Sequence, residues 1–349
     1  MELPKAILGE DDLERTLASP YPELVEMMRR LDGDIMILGV AGKMGPSLAT
    51  LALNACREAG VEKRIIGVSR FSDKAQREQL ERRGVETITC DLADMKQVEV
   101  LPKVRNIIFM VGRKFGVVGS ESETWKTNTV APGNVVRAFA GARMVAFSTG
   151  CVYALVPTAS GGSVETDAPD PVGDYARSCV ERERIFQRCS EERGTPILLF
   201  RLNYAIDLRY GVLVDMAQDV YAGRPVDITV DAVNVIWQGD ANNRALLCLE
   251  HTASPAAALN VTGPEILSVP SLAKEFGRIF QKEVKYTGTS SGIAYLSNAT
   301  RSVNLFGPPR VSIPQLMDWV ANWIGRGGKT LGKPTHFQVT DGQFLTKDK

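Results

Sequence analysis

Short apolar runs alternate with amphipathic stretches through the middle of the chain. Strand-like runs cover residues 35–38, 65–68, 85–89, 107–111 and 144–147, with helical patterns such as 74–83 and 125–140 between them. Strands that alternate with helices predict a parallel sheet covered by helices on both faces. We therefore expect an α/β fold, a doubly wound parallel sheet of the Rossmann type with a smaller mixed substrate-binding lobe.

The same pattern predicts how the chain is divided. We expect an N-terminal extension at 1–33, a dinucleotide-binding Rossmann core at 34–200, a region at 201–325 that is mainly substrate lobe with interleaved core elements, and a C-terminal tail at 326–349. The tail is rich in glycine and lysine, and we expect it to be extended or mobile. The loop at 156–174 contains three prolines and is long enough to cover a site at the carboxyl edge of the sheet.

Three regularly spaced glycines follow the first apolar run. Gly39, Gly42 and Gly45 come directly after residues 35–38, and Pro46 falls in the first turn of the next helix. A phosphate can approach the backbone N–H groups at a helix start only where side chains leave room, and glycine leaves it. The order of strand, glycine loop and helix predicts a dinucleotide-binding site.

Charge and composition narrow the classes of partner. Among 349 residues, Lys plus Arg and Asp plus Glu each number 41, so no excess of positive charge indicates nucleic acid or a membrane surface. The six cysteines show no Cys-x-x-Cys spacing, and neither His251 nor His336 has a second metal ligand nearby in sequence. No apolar run approaches the ~20 residues of a membrane span, and the N-terminus does not read as a signal peptide. We expect a cytoplasmic protein with a small-molecule partner, no disulfides and no metal.

Further motifs follow the glycine loop in order. They are Asp91 after the third strand, Ser148-Thr149-Gly150-Cys151-Val152-Tyr153 after the fifth, Tyr175-Ala176-Arg177-Ser178-Cys179, Asn260-Val261-Thr262-Gly263 and Val303-Asn304-Leu305-Phe306-Gly307-Pro308. From about residue 34 to residue 324, the chain resembles the extended short-chain dehydrogenase/reductases and, more narrowly, their NAD(P)-dependent sugar epimerase/dehydratase group. The resemblance implies hydride transfer between a nicotinamide cofactor and a sugar-like substrate, in a protein that forms a homodimer through the helices containing Trp125 and Tyr175.

The resemblance also implies roles for single residues. Thr149 binds a substrate oxygen, Tyr175 exchanges its proton, Asn128 supports the active-site helix, and Asn203 faces the substrate. In the family, a lysine one helical turn after the tyrosine holds the nicotinamide ribose and lowers the tyrosine pKa. Cys179 stands at that position.

A neutral thiol does not favour the phenolate as an ammonium does, so we expect substrate oxidation to suffer more than carbonyl reduction. Arg177 points elsewhere on the helix, and Arg182 lies about two turns, roughly 10 Å, from Tyr175, so we expect neither to replace the lysine. A cation from another segment could do so, with Lys43, Lys114 and Lys126 as candidates.

Cys179 has two interpretations. It is either a packed, inert thiol, which we expect because no histidine is available to activate it, or a nucleophile or redox sensor.

The end of the second strand bears on the cofactor. An acidic residue there would bind the ribose hydroxyls of NAD, whereas arginine accompanies the 2′-phosphate of NADP. Ser69-Arg70 therefore favours NADP, while Asp73 leaves NAD possible. The residues predicted to bind the cofactor are Gly39, Gly42, Lys43, Met44, Gly45, Ser69, Arg70, Asp91, Leu92, Gly112 and Tyr175.

Two functions of different class remain. The first is an NAD(P)-dependent oxidoreductase or epimerase that acts on a sugar or nucleotide-sugar-like substrate, with Tyr175 as acid/base. The alternative is a catalytically degenerate dinucleotide-binding protein that works as a sensor or assembly partner, which the missing lysine favours. Trp237, Tyr204 and Tyr210 either line a sugar pocket or belong to the core, and the core is the more common place for such residues.

Overall fold

The computed structural model describes residues 3–113 and 121–343. These residues contain a parallel sheet whose strands we number β1 to β7 in chain order: Ile35–Leu38, Ile65–Ser69, Glu86–Thr89, Asn106–Phe109, Arg143–Thr149, Ile197–Leu202 and Ala257–Val261. Their order in space is β7-β6-β5-β4-β1-β2-β3, and every neighbouring pair runs parallel. The predicted doubly wound Rossmann sheet is confirmed.

The helices pack on both faces of this sheet and beyond its β7 end. In chain order they are Glu10–Leu17, Pro22–Arg30, Gly45–Ala59, Lys74–Arg83, Met95–Glu99, Glu121–Trp125, Ala131–Ala138, Gly173–Arg193, Val212–Tyr221, Gln238–Leu247, Val269–Phe280, Thr300–Phe306 and Ile313–Gly325. A π-helical turn at Lys126–Val130 joins two of them, so the segment predicted as one helix at 125–140 is interrupted. None of the helices in the described ranges is long and apolar enough to cross a membrane.

Apolar side chains from the sheet divide into two layers because neighbouring residues of a strand point to opposite faces. Ile35 and Ile37 contribute to the cluster under helices Pro22–Arg30 and Gly45–Ala59. Met36 and Leu38 contribute to the cluster on the other face, under helices Ala131–Ala138 and Gly173–Arg193. All four residues of β1 are fully buried, as expected for a central parallel strand.

A separate apolar cluster lies outside the sheet. It combines helices Glu10–Leu17, Val212–Tyr221, Val269–Phe280 and Ile313–Gly325. Trp237 belongs to it, with its ring edge-on to Trp319 at a centroid distance of 5.3 Å. Short two-residue strands pair outside the main sheet, such as Val156–Pro157, in the loop that follows β5, against Ile293–Ala294.

The turn after β1 depends on the absence of side chains at two glycines. Gly39 has a φ of +89°, a conformation that favours glycine, and its N–H donates to the Val68 carbonyl at 2.8 Å. Gly45 opens the next helix directly against the turn, where a Cβ would lie 2.2 Å from the Val40 carbonyl oxygen. The helix can therefore start this close to the strand only with glycine at 45.

Gly45→Ala should lower the free energy of unfolding by about 1–3 kcal/mol, because the added methyl must displace backbone. Gly133→Ala is the matched control, since it lies inside a helix and its Cβ would have nothing within 4 Å. The control should be neutral or more stable by up to about 1 kcal/mol. Urea unfolding followed by circular dichroism measures both, and a Gly45→Ala protein as stable as the control would contradict the close packing.

Candidate active site

A groove of about 400 Å³ runs along the carboxyl ends of strands β1 to β4. It lies where β1 and β4 are neighbours and the strand order reverses, which is where open α/β sheets bind their ligands. Of the residues predicted to bind a cofactor, the structure brings seven together in its lining: Gly39, Gly42, Ser69, Arg70, Asp91, Leu92 and Gly112. Gly45 is instead buried beneath the turn.

Two charged residues after β2 differ in what they face. Arg70 is exposed and lines the groove. Asp73 caps helix Lys74–Arg83, since its carboxylate accepts the Ala75 N–H at 2.9 Å. The acidic side chain that could have served ribose hydroxyls is therefore engaged by a helix start, whereas the arginine faces the groove.

A second cavity, of about 220 Å³, lies beside the glycine loop. It brings together all the residues predicted to contact substrate, and it is lined by Lys43, Met44, Thr149, Tyr175, Asn203, Tyr204, Tyr210 and Thr335 among others. Lys43 and Met44 were predicted as cofactor residues but face this cavity, with the Lys43 ammonium 3.8 Å from the centre of the Tyr210 ring. Gly42 and Lys43 are consecutive and line different cavities, so the groove and the second cavity are adjacent.

Two of the predicted substrate residues already have protein partners. The Thr149 hydroxyl accepts the Cys151 N–H at 3.2 Å and so caps the short turn after β5. The Asn203 amide nitrogen donates to Asn234 Oδ1 at 2.9 Å and to the Tyr295 carbonyl at 3.1 Å. These bonds fix both side chains at the cavity wall.

Asn128 connects the active-site helix to the end of β4. It lies in the π-helical turn and is fully buried. Its amide donates to Ser178 Oγ at 2.8 Å, and its carbonyl oxygen accepts the Arg113 N–H at 3.1 Å. Ser178 Oγ in turn donates to the Tyr175 carbonyl at 2.7 Å, which holds the first turns of helix Gly173–Arg193 in place.

Tyr175 and Cys179 are neighbours. Tyr175 packs against the buried cluster that contains Cys179. Burial, together with neighbouring Cys179 and Cys151, raises the pKa of Tyr175 well above 10. Burial also raises the pKa of the Cys179 thiol, which is fully buried. A neutral, inaccessible thiol fits the inert interpretation better than a reactive one.

The guanidinium of Arg182 reaches further back along the helix than the backbone spacing suggests. Arg182 Nη2 lies 3.3 Å from Cys179 Sγ, and Nη1 donates to the Val111 carbonyl at 3.0 Å. The reason is that helical side chains lean towards the helix N-terminus, so a long side chain at 182 covers the turn of 179. A Cβ on Gly112 would lie 2.8 Å from Nη1; the predicted cofactor glycine also makes room for this arginine.

The other candidate cations lie in different places. Lys43 shares the second cavity with Tyr175. Lys126 lines the groove. Lys114 lies outside the described residues. Within the described ranges, no group of three or more His, Cys, Asp or Glu side chains is arranged to hold a metal ion, and all six cysteines are buried and unpaired.

Comparison with known proteins finds one similar family. The model of the NAD dependent epimerase/dehydratase family matches residues 35–206. Over this region, 172 of the 349 residues, the chain is similar to that family. No curated protein sequence matches the chain significantly.

Solved structures of low sequence identity share the fold of this chain. UDP-glucose 4-epimerase from Thermotoga maritima, solved with UDP-glucose, has a TM-score of 0.67 at 18% identity, over 84% of this chain and 99% of that one. DesIV, a dTDP-glucose 4,6-dehydratase from Streptomyces venezuelae, has a TM-score of 0.70 at 16% identity, over 84% and 98%. UDP-glucose 4-epimerase from Thermus thermophilus, solved with NAD, has a TM-score of 0.65 at 17% identity, over 83% and 98%.

Part of the C-terminal tail packs against the rest of the chain. The Thr335 N–H and hydroxyl both donate to Asp215, at 2.8 Å and 2.6 Å. Val339 packs against the cluster of Cys151, Ala176 and Tyr295. The expectation of an extended or mobile tail did not include these contacts, because sequence composition does not show which surface a coil segment covers.

A buried ion pair below Thr149 was also missed from the sequence. Arg201 makes a two-pronged contact with Glu183, at 3.0 Å and 2.7 Å, and Ser148 donates to the same carboxylate. Arg201 also donates to the Tyr153 hydroxyl at 2.6 Å, which donates to Asn260 at 2.8 Å. Glu183 and Arg201 lie on separate elements, so no spacing along the sequence indicates the pair.

Glu183→Gln should lower the free energy of unfolding by about 3–5 kcal/mol, because it leaves a buried guanidinium without its counter-charge. The matched control is Glu181→Gln on the same helix, whose ion pair with Arg184 is 40% and 65% exposed, against 3% for each partner of the buried pair. The control should change stability by at most about 1 kcal/mol. Equal losses in the two variants, measured by urea unfolding, would contradict the importance of the buried pair.

Proposed function

We propose that the protein is an NADP-dependent oxidoreductase or epimerase that acts on a sugar or nucleotide-sugar-like substrate by hydride transfer. The observation that supports this best is the adjacency of the two cavities. A glycine-lined groove at the switch point of the sheet lies beside a polar cavity that contains Thr149 and Tyr175. The loop at Gly42 and Lys43 separates the two cavities, so a ligand in the groove and a ligand in the second cavity would meet at this loop.

The residues present fit a nicotinamide dinucleotide. Gly39 and Gly42 leave the loop side of the groove without side chains, and the loop leads into the N-terminus of helix Gly45–Ala59, whose N–H groups favour a diphosphate. Asp91 and Leu92 would face the adenine end, as the resemblance implies. When bound, the cofactor supplies a site that accepts or donates hydride.

The preference for NADP is supported by the end of β2. Arg70 is exposed in the groove, whereas the Asp73 carboxylate caps a helix. A guanidinium can form charge-assisted hydrogen bonds with a 2′-phosphate. NAD stays possible, since the Thermus thermophilus epimerase was solved with NAD.

The chemical roles fall to two side chains. Tyr175 gives its proton to the substrate oxygen in reduction and removes it in oxidation. Thr149, fixed by its bond to the Cys151 N–H, orients that oxygen. Because the pKa of Tyr175 is raised, the phenol is protonated at neutral pH. The proton that reduction needs is therefore in place, whereas oxidation needs the less populated phenolate.

The lining of the second cavity suits a polyhydroxylated carbonyl compound. Tyr204 and Tyr210 provide aromatic surface, while Thr149, Asn203 and Thr335 provide hydrogen-bonding groups. Aromatic faces with a few placed polar groups are typical of small-molecule sites. A homodimer that pairs through the helices containing Trp125 and Tyr175 is part of the same proposal, on the resemblance alone.

A degenerate sensor or assembly protein is the second candidate. The observation that favours it is the packing of Tyr175 against the cluster that contains Cys179, since a thiol stands near the phenol where the resembled family has a lysine. NADPH binding together with an absence of turnover, across a panel of sugars and keto-sugars followed at the nicotinamide absorbance band, would select this candidate.

Arg70→Ala should weaken NADPH binding by about 10- to 100-fold and leave NADH binding unchanged, since a charge-assisted contact contributes about 1.5–3 kcal/mol. Arg82→Ala, on an exposed face of helix Lys74–Arg83, is the matched control and should change neither affinity. Nicotinamide fluorescence titration measures the affinity of each variant for NADPH and for NADH. Failure of the unchanged protein to bind either cofactor would refute the proposed function.

The two directions of the reaction should differ in their pH dependence. A raised Tyr175 pKa keeps the proton donor intact, so the reduction rate should be constant between about pH 7 and pH 9. The oxidation rate should rise about tenfold per pH unit there, because the phenolate fraction does. Tyr175→Phe should lower both rates by about 10²- to 10⁴-fold. An oxidation rate that reaches its plateau below pH 8 would contradict the raised pKa.

A further inference from the structure

Arg182 is a buried cation without a carboxylate partner among residues 3–113 and 121–343. Its side chain is in the interior, with only 5% of the residue exposed. The guanidinium donates to the Val111 carbonyl and contacts the Cys179 sulfur, and its Nε atom has no hydrogen-bond partner. Glu183, the adjacent acid, is committed to Arg201.

Such a placement is costly. A buried charge needs a counter-charge or several hydrogen bonds to offset the loss of hydration. Here one carbonyl and one sulfur provide that compensation, and space for them depends on Gly112, where a Cβ would lie 2.8 Å from Nη1. An apolar residue at 182 would avoid this cost, so the position of the charge calls for a functional reason.

We propose that Arg182 is a positioning residue that supplies, through the sulfur of Cys179, the positive charge favouring ionisation of Tyr175. The inference rests on the proposed role of Tyr175 as acid/base. Tyr175 packs against the buried cluster that contains Cys179, and Arg182 Nη2 approaches Cys179 Sγ at 3.3 Å. The charge at Arg182 therefore lies on the far side of the Cys179 sulfur, three residues further along the helix than a lysine at 179 would be.

The charges around Tyr175 support this assignment. Among the groups that act on its pKa, Cys179 and Cys151 raise it, as burial does, whereas the Arg182 charge lowers it. On the cavity side, Lys43 lies over the ring of Tyr210, and Tyr204 lines the same wall.

The acids nearby act on other groups. Besides burial, the charges of Asp215, Asp341 and Glu183 raise the pKa of Tyr210, Tyr295 and Cys179, respectively. Arg182 is the cation that touches the Cys179 sulfur, and it is the charge to remove in a test.

The test measures the phenol at 175 directly, in the full chain without cofactor or substrate. Fluorotyrosine is incorporated at position 175, because its lower pKa brings the titration into a range where the protein is folded, and ¹⁹F NMR follows it. The backgrounds compared are the unchanged protein, Arg182→Met, the double variant Cys179→Lys with Arg182→Met, and Arg177→Met. Arg177 is exposed on the same helix and serves as the matched control.

Arg182→Met should raise the pKa at position 175 by about one unit or more, as expected for removal of a nearby opposite charge. The double variant should return it to the unchanged value or below, since lysine then supplies the charge directly. Arg177→Met should leave it within about 0.3 units, in line with an exposed charge screened by solvent. An unchanged pKa in Arg182→Met, or no recovery in the double variant, would overturn the proposal.

Gly112→Ala provides a second route if Arg182→Met does not fold. Its methyl group would displace Nη1 while the arginine is kept, so the pKa at 175 should again rise, and no rise would overturn the proposal. Because none of these titrations needs turnover, they separate the two claims. A shifted pKa in a protein that turns over no sugar would reject the proposed function and support the role of Arg182.

Discussion

The active-site helix, Gly173–Arg193, is fixed to the carboxyl edge of the sheet by buried polar contacts at successive positions. Ser178 bonds to Asn128, Arg182 to the Val111 carbonyl, and Glu183 to Arg201. Each contact is buried, so each would leave an unsatisfied polar group if the helix moved. The position of Tyr175 relative to β4 and β5, and therefore the shape of both cavities, depends on this attachment.

The prediction that Cys179 stands in place of the family lysine acquires a physical meaning in that setting. A lysine at 179 would bring its own charge to Tyr175, whereas a thiol brings a small, polarisable and neutral atom. Arg182 reaches the thiol from the next turn, and Gly112 leaves the space for it. Cys179, Arg182 and Gly112 therefore form one arrangement. The buried charge of Arg182 distinguishes it from a site that has lost the lysine and has no other cation nearby.

The sequence was sufficient for the fold and for the grouping of the site residues. The alternation of apolar runs and amphipathic stretches, with the turn residues between them, located the strands of the core. The glycine spacing, Ser69-Arg70 and Asp91-Leu92 located the groove, because all of these residues follow strands that end at one edge of the sheet. Features that depend on side-chain reach were not predictable. The position of Arg182 in the sequence suggested that it lies far from Cys179 and Tyr175, yet its side chain folds back over one helical turn to Cys179. Glu183 and Arg201 pair although they lie on a helix and a strand that are separate in sequence. The tail contacts of Thr335 and Val339 depend on the surface that the folded chain presents.

The central claim is that the glycine loop holds the diphosphate of a nicotinamide cofactor and directs its reactive ring towards Tyr175. The most direct measurement is a crystal structure of the protein grown with NADPH. The account predicts the diphosphate at the backbone N–H groups of residues 39–45, the 2′-phosphate beside Arg70, and the nicotinamide ring facing the cavity that contains Thr149 and Tyr175. NADPH bound elsewhere, or a nicotinamide ring turned away from the Tyr175 phenol, would contradict it.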